Sequence, residues 1–117
     1  MSKPRILVVD DEKELLRSIE RILQREDLEV STATSAEEAL LGMQQTVPPD
    51  LIISDLMMPG IGGLEMLNLV SRKHPMVPVI LITAHATLET AIQAIRAGAY
   101  DYLPCLLYTS PSPRDRG

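Results

Sequence analysis

The sequence predicts one α/β domain built on a parallel β-sheet. Short apolar runs rich in β-branched residues alternate along the chain with longer stretches in which apolar residues recur at helical spacing. The chain has 117 residues, the length of one domain, and its composition (45% hydrophobic, 23% charged) is that of an ordinary globular protein. Because such strands are joined by right-handed crossovers, we expect helices on both faces of the sheet.

The first half of the chain predicts two strand–helix units. Residues 6–9, Ile-Leu-Val-Val, form a run too short for a helix and typical of a strand buried on both faces. A helix follows, and a weaker strand spans residues 28–32. Ser35 and Glu38 then have the spacing of a capping box, which marks the start of a second helix. The apolar face of the first helix is expected to consist of Leu15, Leu16, Ile19, Ile22 and Leu23.

The second half of the chain predicts three more strands and two more helices. Residues 51–53 and 79–82 are strongly apolar runs, and residues 100–103 would form a short fifth strand. A turn rich in proline and glycine at residues 59–63 leads into the third helix. Gly98 is expected to end the fourth helix as its C-cap. The apolar residues of these two helices are Leu64, Leu67, Val70, Leu88, Ala91, Ile92 and Ile95.

Composition and charge exclude several classes of protein. No apolar run reaches the roughly 18 residues that a membrane span needs, and the N-terminus lacks the pattern of a signal peptide. The only cysteine, Cys105, can form neither an internal disulfide nor a multi-thiolate metal site. Acidic residues outnumber basic ones by 16 to 11 without any Lys/Arg run. We therefore expect a cytoplasmic protein that does not bind a membrane or contact nucleic acid directly.

Acidic residues follow the first predicted strand directly, as Asp10-Asp11-Glu12. One interpretation is an acidic helix start that complements the helix dipole, and the cluster taken alone favours it. The other is a site for a hard cation such as Mg²⁺, which takes oxygen ligands and is held by one or two carboxylates. Since ligands bind at the carboxyl ends of the strands in an open parallel sheet, the position suits such a site.

Asp55 and Thr83 stand at the ends of two further predicted strands. Asp55 alone could be an Asx-turn or N-cap residue, and a threonine in a strand means little by itself. Adjacent first and third strands would, however, bring Asp55 close to Asp10 and Asp11, and three like charges repel strongly. A divalent cation would relieve that repulsion and leave one carboxylate free as a nucleophile.

Four segments of the sequence together resemble the receiver domain of two-component response regulators. The resemblance covers residues 5–103 and is closest to receivers of the nitrogen-regulation type. It implies a flavodoxin-like, doubly wound parallel sheet of five strands in the order 2-1-3-4-5. The segments are VVDDE at residues 8–12, ISDLMMPG at 53–60, ITAHA at 82–86 and AGAYDYL at 97–103.

The resemblance assigns a role to each candidate site residue. Asp55 matches the aspartate that accepts the phosphoryl group. Asp10 and Asp11 match the acidic pair that positions Mg²⁺, with Asp11 the direct ligand, and the backbone carbonyl of Met57 would be a further ligand. In the same way, Thr83 matches the hydroxyl that moves toward the phosphoryl group, and Tyr102 matches the switch aromatic.

The end of the chain departs from the family pattern. Cys105 and Leu106 stand where receivers have a Lys-Pro pair whose lysine contacts the phosphoryl group. The fifth helix of the family is missing as well. Residues 105–117 resemble, over most of their length, one reading frame of a sequencing-library adapter. We therefore expect a receiver domain at residues 1–104 and a non-native or disordered tail at residues 105–117.

Three hypotheses about function follow. The leading one is a phosphoacceptor with at most autophosphatase activity, which a sensor histidine kinase phosphorylates on Asp55. Phosphorylation would switch a partner or an output domain, and transcription regulation is one such output. The second is a receiver-like scaffold that binds partners without phosphorylation, which the missing lysine favours. The third, a small hydrolase with an aspartyl-phosphate intermediate, fits poorly, because the usual Asp-x-Asp pair is absent after the first strand.

Overall fold

Five strands and four helices alternate along the part of the chain that the computed structural model describes, which is residues 3–56, 58, 60–83 and 88–104. Their bounds agree with the predicted elements to within a few residues. In chain order they are β1 (Arg5–Val9), α1 (Lys13–Gln24), β2 (Glu29–Ala33), α2 (Ala36–Gln45), β3 (Leu51–Asp55), α3 (Gly63–Lys73), β4 (Val79–Thr83), α4 (Leu88–Arg96) and β5 (Asp101–Pro104).

The strands form one parallel sheet in the order β2-β1-β3-β4-β5. This confirms the predicted fold class and strand order. The order in which successive strands are added changes side at β1, since β2 lies on one side of β1 and β3 on the other. The expected absence of a fifth helix concerns residues 105–117, which lie outside the described residues.

Helices cover the two faces of the sheet unequally. On one face, α2, α3 and α4 contribute to a large core in which Ile52, Val79 and Leu81 are at most 1% exposed. On the other face, α1 buries Ile6 and Val8 of β1. The residues of β3 and β4 on this second face, Leu51, Ile53, Ile80 and Ile82, are only half-buried. Among the described residues, the α1 face is thus fully covered only over β1.

Two helices bury fewer apolar residues than their spacing predicts. Leu15, Leu16 and Ile19 of α1 are buried, but Ile22 is 51% exposed, because it lies beyond the edge of the face that meets the sheet. In α4, Ala94 is buried, while Ile92 and Ile95 are 43% and 54% exposed. None of the described helices is both long and apolar enough to cross a membrane.

The predicted helix ends are confirmed. The N–H of Glu38 donates to Oγ of Ser35 at 3.0 Å, and Oε1 of Glu38 accepts from the N–H of Thr34 at 2.7 Å. The second bond reaches one residue before the N-cap and, with the Thr34 hydroxyl, holds the pKa of Glu38 below its usual value. Gly98 has φ +107°, and the N–H groups of Gly98 and Ala99 donate to the carbonyls of Ile95 and Ala94, which is a Schellman motif.

Candidate functional site

Polar side chains from three adjacent strands meet at the carboxyl edge of the sheet. Asp10 follows β1, Asp55 is the last residue of β3, and Thr83 is the last residue of β4. Val9 pairs with Ser54 and Asp55 pairs with Ile82, so the three residues stand at nearly the same level across the sheet. The sheet register alone therefore brings residues from three separate parts of the chain to one place.

Asp10, Asp11 and Asp55 form a compact acidic cluster. One carboxylate oxygen from each residue lies within 4.8 Å of the other two. Asp10 is fully buried, Asp55 is half-buried and Asp11 is exposed, so the cluster opens to solvent on the Asp11 side. The structure thus brings together the three carboxylates that the sequence placed at strand ends.

The pKa of Asp10 is strongly perturbed by its surroundings in the cluster. Burial raises its pKa to about 7, and the charges of Asp55, Asp11 and Glu12 act in the same direction. The N–H of Glu12 donates to Oδ1 of Asp10 at 2.8 Å and partly opposes this rise. The other oxygen, Oδ2, is buried and accepts no hydrogen bond from any residue that the structure describes.

The chemistry of this cluster suits a hard divalent cation. All the donor atoms are carboxylate oxygens, and a buried oxygen without a hydrogen-bond donor is costly unless a positive charge satisfies it. Burial is the main cause of the raised pKa of Asp10, and a cation would offset the smaller contribution that comes from the neighbouring carboxylates. Asp11, being exposed, leaves a path by which a cation with bound waters could enter.

The backbone of Asp55 is held by two neighbours that no sequence pattern singles out as site residues. The hydroxyl of Ser54 is fully buried and donates to the carbonyl of Asp55 at 3.0 Å. Gly63, the first residue of α3, packs directly against the backbone of Asp55 and Leu56. The proline- and glycine-rich turn was the only sequence signal for this close approach.

The other predicted site residues are described to different extents. Thr83 is 2% exposed at the end of β4. The backbone of Tyr102 pairs with Leu81 in the sheet, but its side chain is not among the described parts. Met57, Cys105 and Leu106 lie outside the described residues altogether.

Comparison with known families and proteins gives a consistent result. The model of the response regulator receiver domain matches residues 6–104. The DNA-binding transcriptional regulator NtrC of Klebsiella pneumoniae is 41% identical over 97 residues, which are 83% of this chain and 20% of that protein. The response regulator protein PilR of Pseudomonas aeruginosa is 39% identical over 105 residues, or 88% of this chain and 23% of that protein. The chain spans about a fifth of the length of these relatives.

Solved structures share the fold. A response regulator receiver domain protein from Clostridium thermocellum superposes with a TM-score of 0.81 at 35% identity, covering 86% of this chain and 81% of the other. The response regulator protein TrrA from Thermotoga maritima, solved in complex with Mg²⁺ and BeF, gives a TM-score of 0.80 at 35% identity, covering 90% and 89% of the two chains.

Proposed function

Since the chain belongs to the response regulator receiver domain family, we propose that it accepts a phosphoryl group on Asp55 from a phosphohistidine of a sensor histidine kinase. The observation that carries this proposal is the acidic cluster itself. A half-buried carboxylate ends β3 beside two further carboxylates, and one oxygen of the buried Asp10 has no donor among the described residues. We assign the nucleophile to Asp55, which is less buried than Asp10 and, unlike the exposed Asp11, is held at the end of a strand in the sheet.

We propose Mg²⁺ as the ion that this cluster holds. Asp10, Asp11 and Asp55 supply carboxylate oxygens, and the backbone carbonyl of Met57 is the proposed further ligand. The TrrA structure, which contains Mg²⁺ and BeF, supports this choice of ion. The ion, when bound, supplies positive charge that balances the charge developing on the transferred phosphoryl group.

The transfer is a displacement at phosphorus. A carboxylate oxygen of Asp55 attacks the phosphorus atom, an O–P bond forms, and the P–N bond of the phosphohistidine breaks with its electron pair going to the imidazole nitrogen. The product is an acyl phosphate on Asp55. We propose a phosphoacceptor whose activity as a catalyst is at most the hydrolysis of its own acyl phosphate by water.

The modified state is read through Thr83 and Tyr102. The hydroxyl of Thr83 would donate to a phosphoryl oxygen, and Tyr102 would follow it inward, shifting the population toward a conformation that a partner or output domain binds. The relatives named as transcriptional regulators support an output of that class. The proposed receiver unit is residues 1–104, acting in the cytoplasm without direct contact to nucleic acid or a membrane.

The residue at position 105 weakens the proposed chemistry. With Cys105 in the position of the family's lysine, one charge-assisted contact to the phosphoryl group is lost. We expect slow phosphorylation and a weak switch, and Cys105→Lys should increase the rate of labelling without restoring stability. No observation on the described residues favours a scaffold that works without phosphorylation, or a hydrolase.

Two measurements on the folded chain test the proposal. Incubation with a small acyl phosphate carrying labelled phosphorus should label Asp55, and Asp55→Asn, which keeps the shape but removes the nucleophile, should abolish the label. Persistent label on Asp10 or Asp11 in that variant would show that the roles are assigned wrongly. A titration with Mg²⁺ should shift the backbone amide signals near Asp10, Asp11 and Asp55, and unchanged signals would exclude the cation site.

A further inference from the structure

Glu37, in the first turn of α2, contacts the turn that follows Asp55. Oε2 of Glu37 accepts a hydrogen bond from the N–H of Ile61 at 3.5 Å. The same oxygen lies against Gly60, since a Cβ on Gly60 would stand 2.9 Å from it. Gly60 has φ +72°, a left-handed conformation that glycine adopts without strain. The Glu37 carboxylate therefore lies across the tip of this turn.

The same turn is held at its other end by the backbone of Leu56, the residue after Asp55. The N–H of Leu56 donates to the carbonyl of Ile82 at 2.9 Å, and the N–H of Gly63 donates to the carbonyl of Leu56 at 3.0 Å. Gly63 also lies so close to the carbonyl oxygen of Asp55 that an added Cβ would collide with it. The backbone contacts of Gly63 with Asp55 and Leu56 therefore connect Gly60 and Ile61, three and two residues before Gly63, to the end of β3.

Helix α2 is a firm support for the Glu37 contact. Its N-terminus is capped by Ser35 and Glu38, and its residues Ala36, Ala39 and Met43 are buried in the larger core. Glu37 itself is exposed, so its side chain contributes little to that core. The carboxylate connects a fixed helix to the turn after the phosphoacceptor.

We propose that Glu37 is a positioning residue for the site at Asp55. By holding Gly60 and Ile61 against α2, Glu37 keeps Asp55 in the position from which it can contact the cation and the phosphoryl group. This inference rests on the proposed function. The competing explanation is that Glu37 only stabilises α2 as an acid near the positive end of the helix dipole. The two explanations differ in whether a neutral hydrogen-bond acceptor can replace the carboxylate.

Three variants separate these explanations. Glu37→Ala removes the acceptor, while alanine suits an exposed helical position and leaves the chain folded. Glu37→Gln removes the charge but keeps an oxygen that can accept from Ile61. Glu65→Ala is the matched control, because Glu65 is also an exposed acid in the first turn of a helix, α3, and makes no such contact among the described residues.

The measured quantities are the Mg²⁺ dissociation constant, the rate of labelling by a small acyl phosphate at saturating Mg²⁺, and the hydrogen-exchange rate of the Ile61 amide. Glu37→Ala should weaken Mg²⁺ binding and slow labelling by roughly three- to tenfold, the effect of losing about one hydrogen bond, and should speed exchange at Ile61. For Glu37→Gln, the Mg²⁺ dissociation constant, the labelling rate and the exchange rate at Ile61 should stay within about twofold of those of the unmutated chain. Glu65→Ala should leave all three quantities unchanged.

Three outcomes would overturn the inference. Glu37→Ala could bind Mg²⁺ and become labelled as the unmutated chain does, Glu37→Gln could be as defective as Glu37→Ala, or Glu65→Ala could show the same loss. An unmutated chain that is folded yet neither binds Mg²⁺ nor accepts label would refute the proposed function instead. The two failures are therefore distinguishable in one set of experiments.

Discussion

Gly63 packs against the backbone of Asp55 so closely that a residue with a Cβ fits at the start of α3 only if the backbone shifts. A Cβ built on Gly63 would collide with the carbonyl oxygen of Asp55 and stand 2.9 Å from Cα of Leu56. The obstruction is backbone, which a rotamer change cannot relieve. The position of the candidate phosphoacceptor and the identity of residue 63 are therefore coupled.

Gly63→Ala should destabilise the chain by about 1–3 kcal/mol, the usual cost of forcing a group into a filled space. It should also reduce labelling of Asp55 in the fraction that remains folded, because the carbonyl of Asp55 must move. Urea unfolding and acyl phosphate labelling measure the two effects. Unchanged stability and labelling would show that the turn adapts freely.

Gly42→Ala is the matched control for that substitution. Gly42 lies inside α2, and a Cβ there would meet nothing within 4 Å. Because glycine in a helix interior costs roughly 0.5–1 kcal/mol relative to alanine, this variant should be stabilised by about that amount. A loss of stability would mean that glycine at this position has a role that the structure does not show.

The carboxyl of Asp10 should make the metal-free chain less stable as pH rises. In the folded chain Asp10 keeps its proton up to about pH 7, whereas in the unfolded chain the ordinary pKa is 3.8. Between these values the folded state binds more protons, so the free energy of unfolding falls with increasing pH. The loss of stability begins near pH 3.8 and is complete above about pH 7.

Urea unfolding at pH 5 and pH 8 in the presence of a chelator measures this slope. Asparagine at position 10 cannot ionise, so the free energy of unfolding of Asp10→Asn should differ less between pH 5 and pH 8 than that of the unmutated chain. At pH 8 the variant should also be more stable than the unmutated chain. Added Mg²⁺ should stabilise the unmutated chain more at pH 8 than at pH 5. If the stability of Asp10→Asn depended on pH as that of the unmutated chain does, the raised pKa of the buried Asp10 carboxyl would be contradicted.

Ile52 and Ile53 provide a test of the uneven coverage of the sheet. They are adjacent in β3 and point to opposite faces, with Ile52 fully buried and Ile53 half-buried. Ile52→Val should cost about 1 kcal/mol, within the range for a fully packed isoleucine, and Ile53→Val less than half of that. Equal losses in urea unfolding would mean that the α1 face is as well covered as the other.

The same half-covered face predicts a marginally stable chain. Leu51, Ile53, Ile80 and Ile82 retain apolar surface in contact with water, and each incompletely buried side chain forgoes part of the roughly 1.5–3 kcal/mol that full burial contributes. We expect a free energy of unfolding at or below the lower end of the usual range, about 5 kcal/mol. A cooperative urea transition that gives a free energy of unfolding well above that value would contradict this expectation.

The pattern of the sequence determined the elements and the edge of the sheet that carries the site. Apolar runs of strand length, helical periodicity and the Ser35–Glu38 spacing are local signals, and each reports on a few neighbouring residues. They placed Asp10, Asp55 and Thr83 at strand ends, and parallel strands bring such ends to one edge. The family resemblance then supplied the proposed roles.

Tertiary structure alone decided the electrostatic environment of the site and the contacts that hold its residues in place. The raised pKa of Asp10 arises from burial and from a charge 45 positions away in the sequence at Asp55. The contact of Glu37 with the turn at Gly60 and the exposure of Ile22 and Ile53 likewise depend on how whole elements pack. These properties follow from distances between residues far apart in the chain, and no local pattern of residue types encodes those distances.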